Sequence, residues 1–282
     1  MARSGFSPGE SWSRIVTNSS PAAFCVTWDW MSNLREDGFL GGRLMIHQPA
    51  HGYRSGADAV MLAAACPAKP GESVLELGCG AGVASLCLGW RVPLTRLTGL
   101  ERQAEYAGLA QRNARANGID LNVVTGDLSR MPPELRQESY DHVIANPPYF
   151  MAGTEAADAG RSAARQETTP LNVWVHAALR RLRPKGMLTV IQRADRLETL
   201  LNALQGRAGA IAILPIAARA GHEAGRIIVT ARKEARTPLR LLAPFIMHDG
   251  PRHLRDGEDF SAAASAVLRE GKAILWHDAK DS

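Results

Sequence analysis

The sequence predicts an α/β fold built on a doubly wound, mostly parallel sheet with an antiparallel hairpin at its edge. Three observations predict it. From Ser73 onward, short apolar runs alternate with helical stretches, the order of repeated βαβ units. The first of these runs ends in a glycine-rich turn, Glu76-Leu77-Gly78-Cys79-Gly80-Ala81-Gly82, that leads into a helical stretch. The last two runs, Ala210–Ile216 and Arg226–Ala231, lie too close together for a crossover helix and are expected to pair antiparallel.

Each element follows in chain order. Residues Met1 to about Met31 are rich in Ser, with Gly, Pro and scattered Trp, and show neither period 2 nor period 3.6, so residues 1–37 are expected to form a disordered or loosely packed extension. Met31 is a second candidate start of translation. Gly41-Gly42, between Phe39-Leu40 and Arg43–Gln48, predicts a hairpin. Ser55-Gly56-Ala57-Asp58 is expected to cap a buried helix over Ala59–Ala65. Strands follow at Ser73–Leu77, Arg96–Leu100, Leu121–Thr125, Asp141–Ala145 and Met187–Ile191. The crossover helices are expected near Ala81–Trp90, Arg102–Asn117, Pro170–Leu182 and Arg196–Leu204. Residues 38–235 would then be the main domain. Residues 236–282 would form an extension on it, with Leu239–Met247 and a helix over Ser261–Arg269.

Composition narrows the class. A chain of 282 residues with 45% hydrophobic residues can bury a full core without disulfides or metals. Cys25, Cys66, Cys79 and Cys87 form no Cys-x-x-Cys pair and no cluster with His at ligand spacing, so no metal site and no disulfide framework is indicated, and a reducing cytoplasm fits. No run approaches the roughly 18 apolar residues of a membrane span, and Pro-Ala-Ala-Phe-Cys-Val is too short for a signal-peptide core. The net charge is +5 and the pI near 9.3, which suits a polyanionic partner and also an ordinary solvated surface. Oligomeric state is not legible.

Turning through Gly78, Gly80 and Gly82 brings backbone amides close to a ligand, because no Cβ intervenes. Glu101 ends the next strand, 19 residues past Gly82, where a carboxylate can take both hydroxyls of a ribose. Asp127 ends the third strand after Val123-Val124-Thr125-Gly126 and could receive an adenine amine. Both acids can also be read as helix N-caps or solvated strand ends. Ligands of open α/β sheets bind at these strand ends.

The fourth strand ends in Asn146-Pro147-Pro148-Tyr149. An amino group conjugated to a ring or carbonyl is a poor nucleophile, because its lone pair is delocalised. The Asn146 side-chain oxygen and the Pro147 carbonyl can each accept one of its N–H groups and leave the lone pair facing an electrophile, while neither proline offers a competing backbone donor. Tyr149 offers a face for stacking, worth roughly 1–3 kcal/mol per base in nucleic-acid systems. Phe150 would wall the pocket, Pro148 is a candidate substrate contact, and Arg54, Arg161 and Arg165 are candidate phosphate contacts or plain surface arginines. Gly153 to Gly160 is expected to be a mobile loop over the site. Taken alone, Asn-Pro is also a strand-ending turn.

With its preceding acid, the Gly-x-Gly-x-Gly turn resembles the cofactor loop of S-adenosyl-L-methionine-dependent methyltransferases, and with Asn146-Pro147-Pro148-Tyr149 it resembles those acting on planar amines. Gln48-x-x-x-Gly52-Tyr53-Arg54-Ser55-Gly56-x-Asp58-Ala59, Phe150, Ala164-Arg165-Gln166-Glu167 and Pro244-Phe245-Ile246-Met247-His248 narrow this to a resemblance, over about Phe39 to Arg269, to the bacterial tRNA adenine-N6 methyltransferases that modify valine tRNA beside the anticodon. Many members carry His where Gln166 stands. The resemblance implies the seven-stranded class I methyltransferase (Rossmann-like) fold, S-adenosyl-L-methionine as cofactor, held by Glu76, Gly78, Gly80, Gly82, Glu101 and Asp127, and tRNA as partner, without metal or membrane. Methylation of a protein glutamine, as in release factors, or of a small amine uses the same four-residue motif and stays open.

Overall fold

The structure is a computed structural model that describes residues 33–148, 169–250 and 259–276. Tyr149, Phe150, Arg161, Arg165, the glycine loop between Gly153 and Gly160, and residues 1–32 lie outside the described residues.

A two-stranded antiparallel ribbon comes first, β1 (Leu34–Phe39) on β2 (Leu44–Pro49), in a register running from Leu34↔Pro49 to Phe39↔Leu44. The turn uses positive φ at Leu40, Gly41 and Gly42. Strand β1 starts four residues inside the segment expected to be an unstructured extension. Its polar residues do not alternate, and what holds them is cross-strand chemistry: the Asp37 carboxylate accepts from Gln48 Nε2 at 3.0 Å and from Arg54 Nη2 at 2.7 Å.

The main sheet runs β10-β8-β9-β7-β6-β3-β4-β5, with β11 also on β8. Strands β3 (Ser73–Leu77), β4 (Arg96–Glu101), β5 (Leu121–Thr125), β6 (Tyr140–Ala145) and β7 (Leu182–Arg193) are parallel to one another. The expected edge hairpin is present as β8 (Ala208–Ala217) and β9 (Ala224–Lys233), with β9 antiparallel to both β7 and β8. Seven strands were expected. The C-terminal segment adds two, β10 (Arg240–Leu241) and β11 (Phe245–Ile246), each parallel to β8, so that segment extends the sheet. Two-residue strands carry too little pattern to be seen in a sequence.

Alternation along the strands places the core on both faces. Val74, Ile144, Ile191 and Ile228 point to one face, where α1 (Ala57–Ala65), α2 (Val83–Arg91), α3 (Ala104–Ala116) and α7 (Ala262–Leu268) lie. Leu75, Leu77, Val143, Leu188 and Val229 point to the other, under α5 (Leu171–Arg181) and α6 (Leu197–Leu204). A one-turn helix, α4 (Pro133–Arg136), precedes β6. Each fully buried Leu or Ile contributes roughly 1.5–3 kcal/mol. Helix α1 is buried from Ala59 through Ala65, as its uniformly apolar sequence requires. Its last carbonyls are satisfied from outside: the Trp276 indole N–H donates to Ala65 O and the Ile274 amide to Ala64 O, both at 2.8 Å. At its start the expected side-chain cap is absent. Gly56 occupies the N-cap position, Ser55 is engaged through its backbone with the Gln48 side chain, and Asp58 in the first turn pairs with Arg226 at 3.1 Å.

Candidate active site

Sheet register brings the sequence-derived residues together. Leu77 pairs with both Leu100 and Ala145, so the next residues along, Gly78, Glu101 and Asn146, sit level on three adjacent strands, about 4.8 Å from strand to strand. Glu101 pairs with Thr125, and Gly126 N–H donates to Glu101 O at 2.8 Å, which places Asp127 at the same end of the sheet.

Gly78, Gly80 and Gly82 all have positive φ, at 66°, 54° and 86°. Their reasons differ. A Cβ on Gly78 would lie 2.5 Å from the Trp174 ring on α5, and one on Gly82 would lie 3.2 Å from Ala110 Cβ on α3, so these two glycines serve packing. At Gly80 the nearest atom would be Tyr53 Cε1 at 3.9 Å, so this glycine keeps an open face beside an exposed tyrosine. The Tyr106 hydroxyl donates to Tyr53 O at 3.0 Å and ties the Tyr53 segment to α3.

Side chains beneath hold the turn. Glu101 is 7% exposed and accepts from Gly80 N–H through Oε2 and from Gln103 N–H through Oε1, both at 2.9 Å. Each oxygen retains an acceptor position. Glu76 lies 4% exposed at the end of β3 and accepts from Ser85 N–H at 2.9 Å and Ser85 Oγ–H at 2.5 Å, in the first turn of α2. Burial pushes the Glu76 carboxyl up to about 8 against the pull of the Ser85 donors, and the nearby Glu101 charge pushes the same way. Its observed task is therefore to brace the helix that follows the glycines. Asn113, fully buried on α3, donates to Ala81 O at 2.9 Å and His47 O at 3.0 Å and accepts from His47 N–H at 2.9 Å, joining the turn to β2. Burial raises the Cys79 thiol well above its ordinary value, so this cysteine is packing rather than nucleophile.

Asp127 shows its capping role: Oδ1 accepts from Ser129 N–H at 2.7 Å at the start of a 3-10 turn over Leu128–Arg130. Arg54 is held on Asp37 rather than standing free. Asn146 is half-buried, Pro147 buried and Pro148 exposed at the end of β6. One partner escaped the sequence reading. Gln192, 2% exposed near the end of β7, donates through Nε2 to the Pro147 carbonyl at 3.3 Å and accepts from Arg193 N–H at 2.9 Å. The available signal was a Gln closing the buried run Met187–Ile191; Tyr53, also missed, stood inside the Gly-Tyr-Arg motif. Among the described residues no three His, Cys, Asp or Glu side chains converge as a metal site, and no helix is long and apolar enough to cross a membrane.

The model of the methyltransferase small domain family matches residues 56–213. A Porphyromonas gingivalis (strain ATCC 33277) protein named tRNA1(Val) (adenine(37)-N6)-methyltransferase is 33% identical over 173 residues, covering 58% of this chain and 68% of its own. A Dickeya chrysanthemi protein of the same name is 27% identical over 249 residues, covering 84% of this chain and 94% of its own. Among solved structures, an Agrobacterium tumefaciens protein described as a predicted O-methyltransferase aligns with TM-score 0.64 and 26% identity over 77% of this chain and 98% of its own. With more than half of its residues inside the family model and the Porphyromonas relative matched over two thirds of its length, this chain belongs to the methyltransferase small domain family, alongside proteins named tRNA1(Val) (adenine(37)-N6)-methyltransferases.

Proposed function

We propose that this protein is an S-adenosyl-L-methionine-dependent N-methyltransferase that acts on the exocyclic N6 of an adenine in a tRNA anticodon loop, in the cytoplasm. The observation that carries the reading is the level placement of Asn146 beside Gly78 and Glu101, which puts amine acceptors and cofactor-type residues at one sheet end. The relatives' names supply the RNA class. Likeness to a protein described as an O-methyltransferase leaves the acceptor atom open on fold grounds, so the assignment to nitrogen rests on Asn146, Pro147 and those relatives.

The residues present fit the cofactor. Gly80 has an open face, and Glu101 keeps acceptor positions for a ribose. When bound, S-adenosyl-L-methionine supplies an electrophilic methyl on a sulfonium. The chain does the rest by orientation. Asn146 and the Pro147 carbonyl accept the two N–H groups of the adenine amine and so point its lone pair outward, with Gln192 fixing the Pro147 carbonyl from behind. A base in a loop is the least costly to extrude, at a few kcal/mol. Tyr149 remains the proposed stacking surface, Phe150 a proposed pocket wall, and Arg161 and Arg165 proposed phosphate contacts.

Labelled cofactor offered with unmodified tRNA, a release factor or small amines tests the reading. Label in tRNA adenosine supports it; label only in a protein glutamine or a small amine replaces it.

A further inference from the structure

Near the methyl-transfer end of the sheet Arg54 pairs with Asp37, Arg193 with Asp195, Arg219 with Asp259 and Arg226 with Asp58, while Arg102 and Arg130 stand exposed near Asp127. The opposite end carries a basic cluster of its own. There a cavity of about 690 Å³ is lined by His176 and Arg180 of α5, Arg207 before β8, and Lys233, Glu234 and Arg236 at and beyond the end of β9. Glu234 is the one acid among these. Lys233 Nζ donates to Leu182 O at 2.7 Å. Arg180, Arg207 and Arg236 are exposed, and among the described residues none of them makes an ion pair. Partial burial, then Arg207 and Arg180, hold the His176 imidazole below its ordinary value, as expected beside uncompensated positive charge.

Strand β7 measures the separation. It begins at Leu182 beside the cavity and ends at Arg193 beside Gln192, a span of roughly 35 Å at about 3.3 Å per residue. No mononucleotide reaches from the amine acceptors to this cavity. A folded RNA does, and its closely spaced backbone phosphates are dense enough to meet three arginines at once.

We propose that the groove formed by Arg180, Arg207 and Arg236 is a second RNA-docking site that takes the sugar-phosphate backbone of a folded RNA, remote from the base being methylated. The identity of that RNA as the substrate rests on the function proposed above; the groove's affinity for phosphate backbone does not.

The test uses the full chain and a triple variant, Arg180→Gln with Arg207→Gln and Arg236→Gln, titrated with whole unmodified tRNA and with an isolated anticodon stem-loop over a range of salt. A control removes three charges elsewhere, Lys69→Gln, Arg112→Gln and Arg115→Gln. The expected result is at least a tenfold loss of whole-tRNA affinity at low salt in the triple variant. The slope of log affinity against log salt should fall by about two to three, at about 0.9 per duplex phosphate contact. Stem-loop and S-adenosyl-L-methionine affinities should stay unchanged, and lysines at the three positions should restore the slope. The proposal is overturned if the triple variant keeps the wild-type slope, if the control variant loses as much, or if the wild type binds no RNA. Methylation reports separately: a groove-dependent slope without N6-methyladenosine sinks the proposed function alone, and methylation with an unchanged slope sinks the groove alone.

Discussion

Gln192 Nε2 on β7 donates to the carbonyl of Pro147, two residues past the end of the neighbouring β6, over 3.3 Å at the end of the sheet where Asn146 sits. A carbonyl that must accept from a substrate amine is useful only if it cannot turn, and a buried amide donor behind it restrains that rotation. Gln192→Leu should therefore lower kcat about tenfold, the loss of roughly 1.4 kcal/mol of orientation, while S-adenosyl-L-methionine affinity and KM for RNA change little. Steady-state kinetics beside cofactor calorimetry check this, since a merely structural role would shift the melting temperature and leave kcat of the folded fraction intact.

Asn146 and Glu101 stand level on strands either side of β3, and their roles should separate by mutation. Asn146→Ala should keep cofactor affinity and lose transfer. Glu101→Ala should weaken the cofactor by about 1.5–3 kcal/mol through the ribose hydroxyls. It should also cost stability, because Gly80 N–H and Gln103 N–H lose their acceptor. Calorimetry and initial rates on both variants distinguish them; near-normal turnover in Asn146→Ala would remove it from the site.

Gly78 and Gly80 should not fail alike. Gly78→Ala drives a methyl to 2.5 Å from Trp174 and should unfold or severely destabilise the domain. Gly80→Ala meets nothing closer than 3.9 Å and should cost only about 1 kcal/mol of left-handed strain, yet reduce cofactor affinity by filling the open face. Thermal melts with and without cofactor read both quantities.

Glu76 makes stability depend on pH with a definite sign. Its folded value, about 8, lies above the ordinary 4.5, so the native state holds a proton that the unfolded chain releases. Stability from this group is intact below about pH 4.5 and falls as pH rises toward 8. Each unit of separation is worth at most about 1.4 kcal/mol. Glu76→Gln should flatten that fall, which denaturant melts at several pH values can follow.

Much of this was legible beforehand because β3, β4 and β6 are buried along almost their whole length and read as short runs rich in apolar residues. Ser73–Leu77 and Leu121–Thr125 match the observed strands, Glu101 ends β4, and Asn146 directly follows β6. Tertiary contacts were not legible. Strand β7 begins at Leu182 directly after α5, five residues before the expected start at Met187; a register shift between the Tyr140 and His142 pairings accommodates the added residues. Glu76 and Asp127 looked alike as strand-end acids, yet one braces a helix at a distance and the other caps its own turn. Ser85 and Asn113 gave no sign of holding the glycine turn, because their partners lie 9 and 32 or more residues away.

Asn146 and Pro147 are proposed to present an adenine amine of tRNA for methylation. Mass spectrometry of nucleosides from unmodified tRNA treated with the wild-type protein and S-adenosyl-L-methionine tests that role most directly. The expected result is N6-methyladenosine from an anticodon loop with wild type and none with Asn146→Ala. Methylated glutamine in a release factor with no methylated adenosine in tRNA would contradict it.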